Sequence, residues 1–123
     1  MEITMYSIKE KLIAMGVPYD EVMERFVYDE DFYFDYLHQF TRDQQMTLLE
    51  EALRDNRPEE AFQAAHTLKG LMGNLGLNFL VECIAPLVEM LRSGSLKETE
   101  ALFLSFQAAH REFCRFIKDN VPG

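Results

Sequence analysis

The sequence predicts an all-α fold, and three observations predict it. Apolar residues recur at three- and four-residue spacing along nearly the whole chain. Val, Ile and Thr are sparse, and no period-two run is sustained. Glycine, proline and capping residues punctuate the apolar stripes at short intervals, as helix ends require.

Taken in order, Ile8, Leu12 and Met15 form a short stripe closed by Gly16 and Pro18. Val22, Met23 and Phe26 form a second short helix. A first long helix runs from about Asp31 to Arg54. Its stripe is Tyr33, Leu37, Phe40, Gln44 and Leu48, with Gln44 as a polar breach. Asp55–Asn56–Arg57 turns the chain, and Pro58 suits a first helical turn, where its missing N–H costs nothing. Glu59 and Glu60 complement the positive end of that helix. Its seam is Ala61, Ala65, Leu68, Met72 and Leu75, and Gly76 ends it.

Asn78 is placed to cap the next helix, which buries Leu77, Leu80, Ile84, Leu87 and Leu91. Pro86 inside it removes the hydrogen bond to the Glu82 carbonyl and predicts a kink. Ser93–Gly94 ends it. Ser95 with Glu98 reads as a capping box for the last helix, whose stripe is Leu102, Phe106, Ala109, Phe113 and Phe116. Val121–Pro122–Gly123 reads as a frayed tail. Short connections make neighbouring helices antiparallel. The expected architecture is an up-down-up-down four-helix bundle over residues 30–120, preceded by one or two short helices in 1–29, all in a single domain, 1–123.

Composition narrows the function. The chain has 123 residues, 48% of them hydrophobic, which suits one globular domain with one modest core. A net charge of −9 disfavours nucleic acid and anionic lipid as partners. Cys83 and Cys114 form neither a CxxC pair nor a zinc spacing. No stretch near the start has the apolar segment of a secretory signal, and no run approaches the roughly 18 apolar residues of a membrane span. A cytoplasmic location is the expectation.

Three histidines are candidates for chemistry: His38, His66 and His110. Phe-Gln-Ala-Ala-His occurs twice, ending at His66 and at His110, so the upstream residues discriminate nothing. The downstream residues do. Lys69 and Gly70 follow His66 by one helical turn and Gly73 by two, all on the face of the ring. Phe113 and Cys114 follow His110, which places that ring at the border of the core. His38 has only Asp35 one turn before it, too little for a metal site.

A neutral imidazole nitrogen is a competent nucleophile near neutral pH. Lys69 would partly balance negative charge gained there. Glycine in a helix costs about 1 kcal/mol against alanine, and two on one face call for a reason. Close approach of a partner is one. Tight helix packing is the rival at Gly73. Phe62, one turn before His66, and Leu71 are assigned with Gly70 and Gly73 to the partner-docking surface.

The run Ala65-His66-Thr67-Leu68-Lys69-Gly70, followed by Asn74-Leu75-Gly76 and Leu80, resembles the signature of histidine phosphotransfer (HPt) domains. The likeness extends to Tyr33, Leu37 and Phe40 before it and to Leu87-Val88-Glu89 and Ser93-Gly94 after it, over roughly residues 20–118. It implies a monomeric phosphorelay intermediate of two-component signalling, with no kinase activity of its own. His66 would be the phosphoacceptor, Lys69 would assist electrostatically and Gly70 would give the partner room. The partners implied are receiver domains of response regulators or hybrid histidine kinases. The receiver would bring the magnesium ion, so no cofactor or metal site is expected in this chain. Two features depart from the pattern: Leu71 and Met72 stand where small residues are frequent, and Pro86 is unusual.

An enzyme reading lacks a nucleophile–base pair, a nucleotide loop and the paired Glu-x-x-His motifs of a bundle metal site. A non-catalytic scaffold bundle is the stronger alternative. It has no need for glycines around an exposed histidine.

Overall fold

The apolar stripes sort into seven helices in the computed structural model, which describes residues 5–123. They are α1 (Met5–Ala14), α2 (Tyr19–Arg25), α3 (Glu30–Thr41), α4 (Gln45–Arg54), α5 (Pro58–Asn74), α6 (Asn78–Arg92) and α7 (Thr99–Asn120). Among the described residues there is no strand. The part of the expected N-terminal segment before Met5 lies outside the described residues.

Five helices end in the same way. The N–H of Val17, Tyr28, Arg57, Leu77 and Ser95 each returns to the carbonyl five residues back, closing α1, α2, α4, α5 and α6. This 6→1 closure needs a left-handed residue just past the helix. Gly16, Gly76 and Gly94 supply it at φ of 101°, 76° and 78°, and Asn56 does so at 56°. Val27 is the exception, a β-branched residue at φ 52° followed by Tyr28 at 59°.

Packing follows the chain. Helix α4 lies on α5, α5 on α6, α6 on α7, and α3 returns to α7. The predicted seam of α5 is buried in full: Ala61, Ala65, Leu68, Met72 and Leu75. So is that of α6, from Leu77 through Leu80, Ile84 and Leu87 to Leu91. Pro86 sits inside α6, which continues through it. Pro86 and Glu82 are both exposed, so the carbonyl that loses its helical donor is on the wet side.

Six expectations are corrected. The helix read as continuous from Asp31 to Arg54 breaks between Thr41 and Gln45. Phe40 and Leu49 are both buried, yet nine residues of unbroken helix would turn them about 180° apart. The break rotates the second half so that both face the core. Thr41 Oγ1 donates to the His38 carbonyl at 2.7 Å, and Asp43 Oδ1 accepts from the Gln45 N–H at 2.8 Å, which stabilises the corner. Leu48, assigned to the core stripe, is 47% exposed.

The capping box before α7 does not form. Ser95 Oγ accepts from the Lys97 N–H, and Glu98 stands at the N-cap in a left-handed conformation without a side-chain cap. Helix α7 is rotated from the expected stripe: Phe103, Phe106, Phe113, Cys114 and Ile117 are buried, whereas Leu102, Ala109 and Phe116 are only half-buried. Asn78 is the first residue of α6, with Leu77 at the N-cap. The tail is not frayed at Val121, which is buried and whose carbonyl accepts a 2.8 Å hydrogen bond from His38 Nε2.

Helix α2 is seated against the C-terminal end of α5. A Cβ on Gly76 would lie 2.5 Å from Val22 Cγ2 and 3.3 Å from Pro18 Cδ, so only glycine lets α2 approach this closely. Arg25 at the end of α2 donates to the carbonyls of Gly73 and Asn74 at 3.3 and 3.1 Å. A cation there complements the negative end of the α5 dipole.

Candidate functional site

The outer face of α5 is determined by its inner one. Ala61, Ala64, Ala65, Leu68 and Met72 are buried. At about 100° per residue, Phe62, Lys69, Gly70 and Gly73 then fall within roughly 60° of His66 on the opposite side. His66 and Gly70 are exposed, and Phe62, Lys69 and Gly73 are half-buried. All five belong to one strip along the helix.

Gly70 and Gly73 are bare in a specific sense. A Cβ built at either meets nothing within 4 Å. Tight helix packing therefore does not account for Gly73. The helix accepts the conformational cost of two glycines where no neighbour of its own requires them. Leu71 is exposed at 36%, but five residues on it points about 140° around from His66, well outside the strip.

Two cations border this face that the sequence reading did not assign. Arg92 of α6 places its guanidinium 5.1 Å from the centroid of the Phe62 ring. Phe62 in turn lies nearly parallel to the His66 imidazole, with centroids 5.5 Å apart and planes at 14°. Arg25 occupies the far end of the strip, on the Gly73 and Asn74 carbonyls. Neither is within one helical turn of the histidine in sequence, so no local spacing could reveal it. Lys69, Arg92 and Arg25 thus border one strip, with Arg92 paired to Glu89 at 3.4 Å.

The other histidines are engaged elsewhere. His38 is half-buried and donates from Nε2 to Val121. His110 is half-buried between Phe40 and Phe106, and its ring nitrogens lie 3.7 and 3.8 Å from Cys114 Sγ. Burial holds its pKa below the ordinary value, against an opposing pull from Asp43. Burial likewise pushes the Cys114 thiol up to about 11, which keeps it protonated and inert. Among the described residues, no group of three or more His, Cys, Asp or Glu side chains could hold a metal ion.

An exposed imidazole with a lysine one turn on and open backbone beyond it can take up an anionic group from a large partner and yield it again. The Hpt domain family model matches residues 35–115, from within α3 to within α7. The chain belongs to the Hpt domain family. No curated protein and no solved structure gives a significant match. Hpt membership ties the chain to histidine phosphotransfer in phosphorelays and to receiver domains as the general class of partner. Helices α1 and α2 lie outside the Hpt match. Among the described residues, no helix is long and apolar enough to cross a membrane.

Proposed function

We propose that this Hpt protein carries phosphoryl groups on His66, accepting them from an aspartyl phosphate of one receiver domain and passing them to the aspartate of another. In the forward step the imidazole nitrogen forms an N–P bond as the acyl P–O bond breaks, and the aspartate leaves as a carboxylate. The reverse step returns the phosphoryl group to an aspartate oxygen. Magnesium belongs to the receiver, which performs most of the catalysis, and the carrier has no kinase activity of its own.

The observation that carries this reading is the pairing of an exposed His66 with open backbone at Gly70 and Gly73. A receiver must bring a recessed aspartate to within bonding distance of the imidazole, and side chains at those two positions would hold it off. Lys69, one turn on, partly balances the charge gained by the ring. Phe62 edges the docking surface, and Leu71 is exposed on another face of α5. The packing order supports a four-helix bundle in which α3 and α4 together form one arm, within a single domain over 1–123. A cytoplasmic monomer suits a relay partner for receivers.

The test is phosphoryl transfer from a labelled receiver domain with magnesium. Wild-type protein takes up acid-labile, base-stable label. His66→Gln abolishes uptake, whereas His38→Gln and His110→Gln retain it. Uptake by His66→Gln at the wild-type level would remove the assignment. Lys69→Ala slows transfer without abolishing it.

A further inference from the structure

The duplicated pentapeptide supplies an internal comparison. Phe62 and His66 have the same spacing and the same intervening residues as Phe106 and His110. The first pair is stacked at 14°, with centroids at 5.5 Å. The second is tilted at 48°, with centroids at 5.8 Å. Helical spacing therefore does not by itself make a Phe and a His four residues apart stack. What differs is the surroundings. Phe106 is fully buried, and its histidine also meets the edge of Phe40. Phe62 is half-buried at the surface and has the Arg92 guanidinium over its ring, while Arg92 Nε donates to Glu89 Oε1 at 3.4 Å.

We infer that Phe62 and Arg92 are positioning residues for His66. Arg92, reaching from α6, holds the Phe62 ring, and the Phe62 ring holds the imidazole in one orientation. This rests on the carrier reading of His66, and it changes the part played by Phe62 from docking to orientation. An exposed histidine without such support samples several rotamers, of which only some present a nitrogen to an incoming phosphorus. Holding the ring in a reactive orientation removes that loss before the partner arrives. The stack leaves the ring edge, where the nitrogens are, free for attack.

The experiment uses the full chain and two phosphoryl donors. One is a phosphorylated receiver with magnesium. The other is phosphoramidate, from which the phosphoryl group passes to the imidazole nitrogen as ammonia leaves, with no docking partner. Phe62→Leu and Arg92→Ala lower the saturated rate from the receiver and the rate from phosphoramidate alike, by on the order of three- to tenfold, what an aromatic stack of this kind is worth. The KM for the receiver stays near the wild-type value. Phe62→Tyr and Arg92→Lys, which keep the ring and the charge, restore most of both rates. Side-chain couplings of His66 measured by NMR change from one rotamer to an average in Phe62→Leu and Arg92→Ala.

A rise in KM for the receiver with an unchanged phosphoramidate rate and unchanged couplings would make Phe62 a docking residue and overturn the inference. Wild-type protein that takes label on His66 from neither donor overturns the carrier reading instead. The couplings then still decide whether Phe62 and Arg92 fix the ring.

Discussion

The Tyr33 hydroxyl donates a buried 2.9 Å hydrogen bond to the Leu75 carbonyl, one residue past the end of α5. Burial pushes the phenol pKa well above its ordinary value, so the donor proton is retained. The bond fixes α3 to the end of the helix that carries His66. Tyr33→Phe leaves that carbonyl without its partner and costs about 1–2 kcal/mol of stability, read by urea or thermal unfolding. His66 itself lies more than two turns away, so phosphoryl uptake at 25 °C persists. Loss of uptake in a folded Tyr33→Phe protein would show that α3 sets the geometry of the site.

The three glycines along α5 and its end respond to alanine in opposite ways. At Gly70 and Gly73 a Cβ meets open space in ordinary helical backbone. Alanine at either raises the stability of the isolated protein by about 1 kcal/mol at most. The same changes slow transfer from a receiver, because the added methyl faces the partner, and leave phosphoramidate labelling unchanged. At Gly76 the backbone is left-handed and the Cβ would strike Val22. Gly76→Ala destabilises by about 1–3 kcal/mol and lowers the melting temperature. A receiver rate untouched by Gly70→Ala and Gly73→Ala together would remove the docking role of this face.

His38 separates structural from chemical histidines. Its Nε2–H is donated to Val121, which packs the end of α7 onto α3. His38→Leu removes that donor and loosens the last turn. Faster amide exchange over residues 117–121 is the expected result, with a stability loss of about 1 kcal/mol. Labelling of His66 is unchanged. Protection of those amides at the wild-type level would mean that Val121 is held by its own burial alone.

What was legible in the sequence was local, and what was not legible involved distant partners. Gly16, Gly76 and Gly94 mark helix ends because left-handed closure leaves few other choices. The seams of α5 and α6 follow from single-helix periodicity, and the exposure of His66 follows from the α5 seam. The corner at 41–44 is not legible because Leu48 continues a plausible stripe, and only packing against α5 brings Leu49 inward instead. Ser95 and Glu98 matched a capping box in spacing, but the left-handed turn at Glu98 moves the cap away. Arg25 and Arg92 reach α5 from helices 48 and 26 residues distant from Gly73 and His66 in the chain. Their positions depend on tertiary packing, which no helical repeat encodes.

His110 gives the fold a pH dependence of definite sign. Burial lowers its folded pKa from the ordinary 6.5, with Asp43 opposing and Lys118 adding to the shift. The unfolded chain therefore binds the proton first as pH falls. Stability from this residue is complete above the ordinary value and declines as pH drops from there through the lower folded pKa. Charging the ring would place a cation between Phe40 and Phe106 beside Cys114. Melting temperatures across pH 5–8 are expected to fall on the acid side in the wild type. His110→Gln, which removes the titrating group, flattens that limb. An acid limb equally steep in His110→Gln would assign the dependence to other groups.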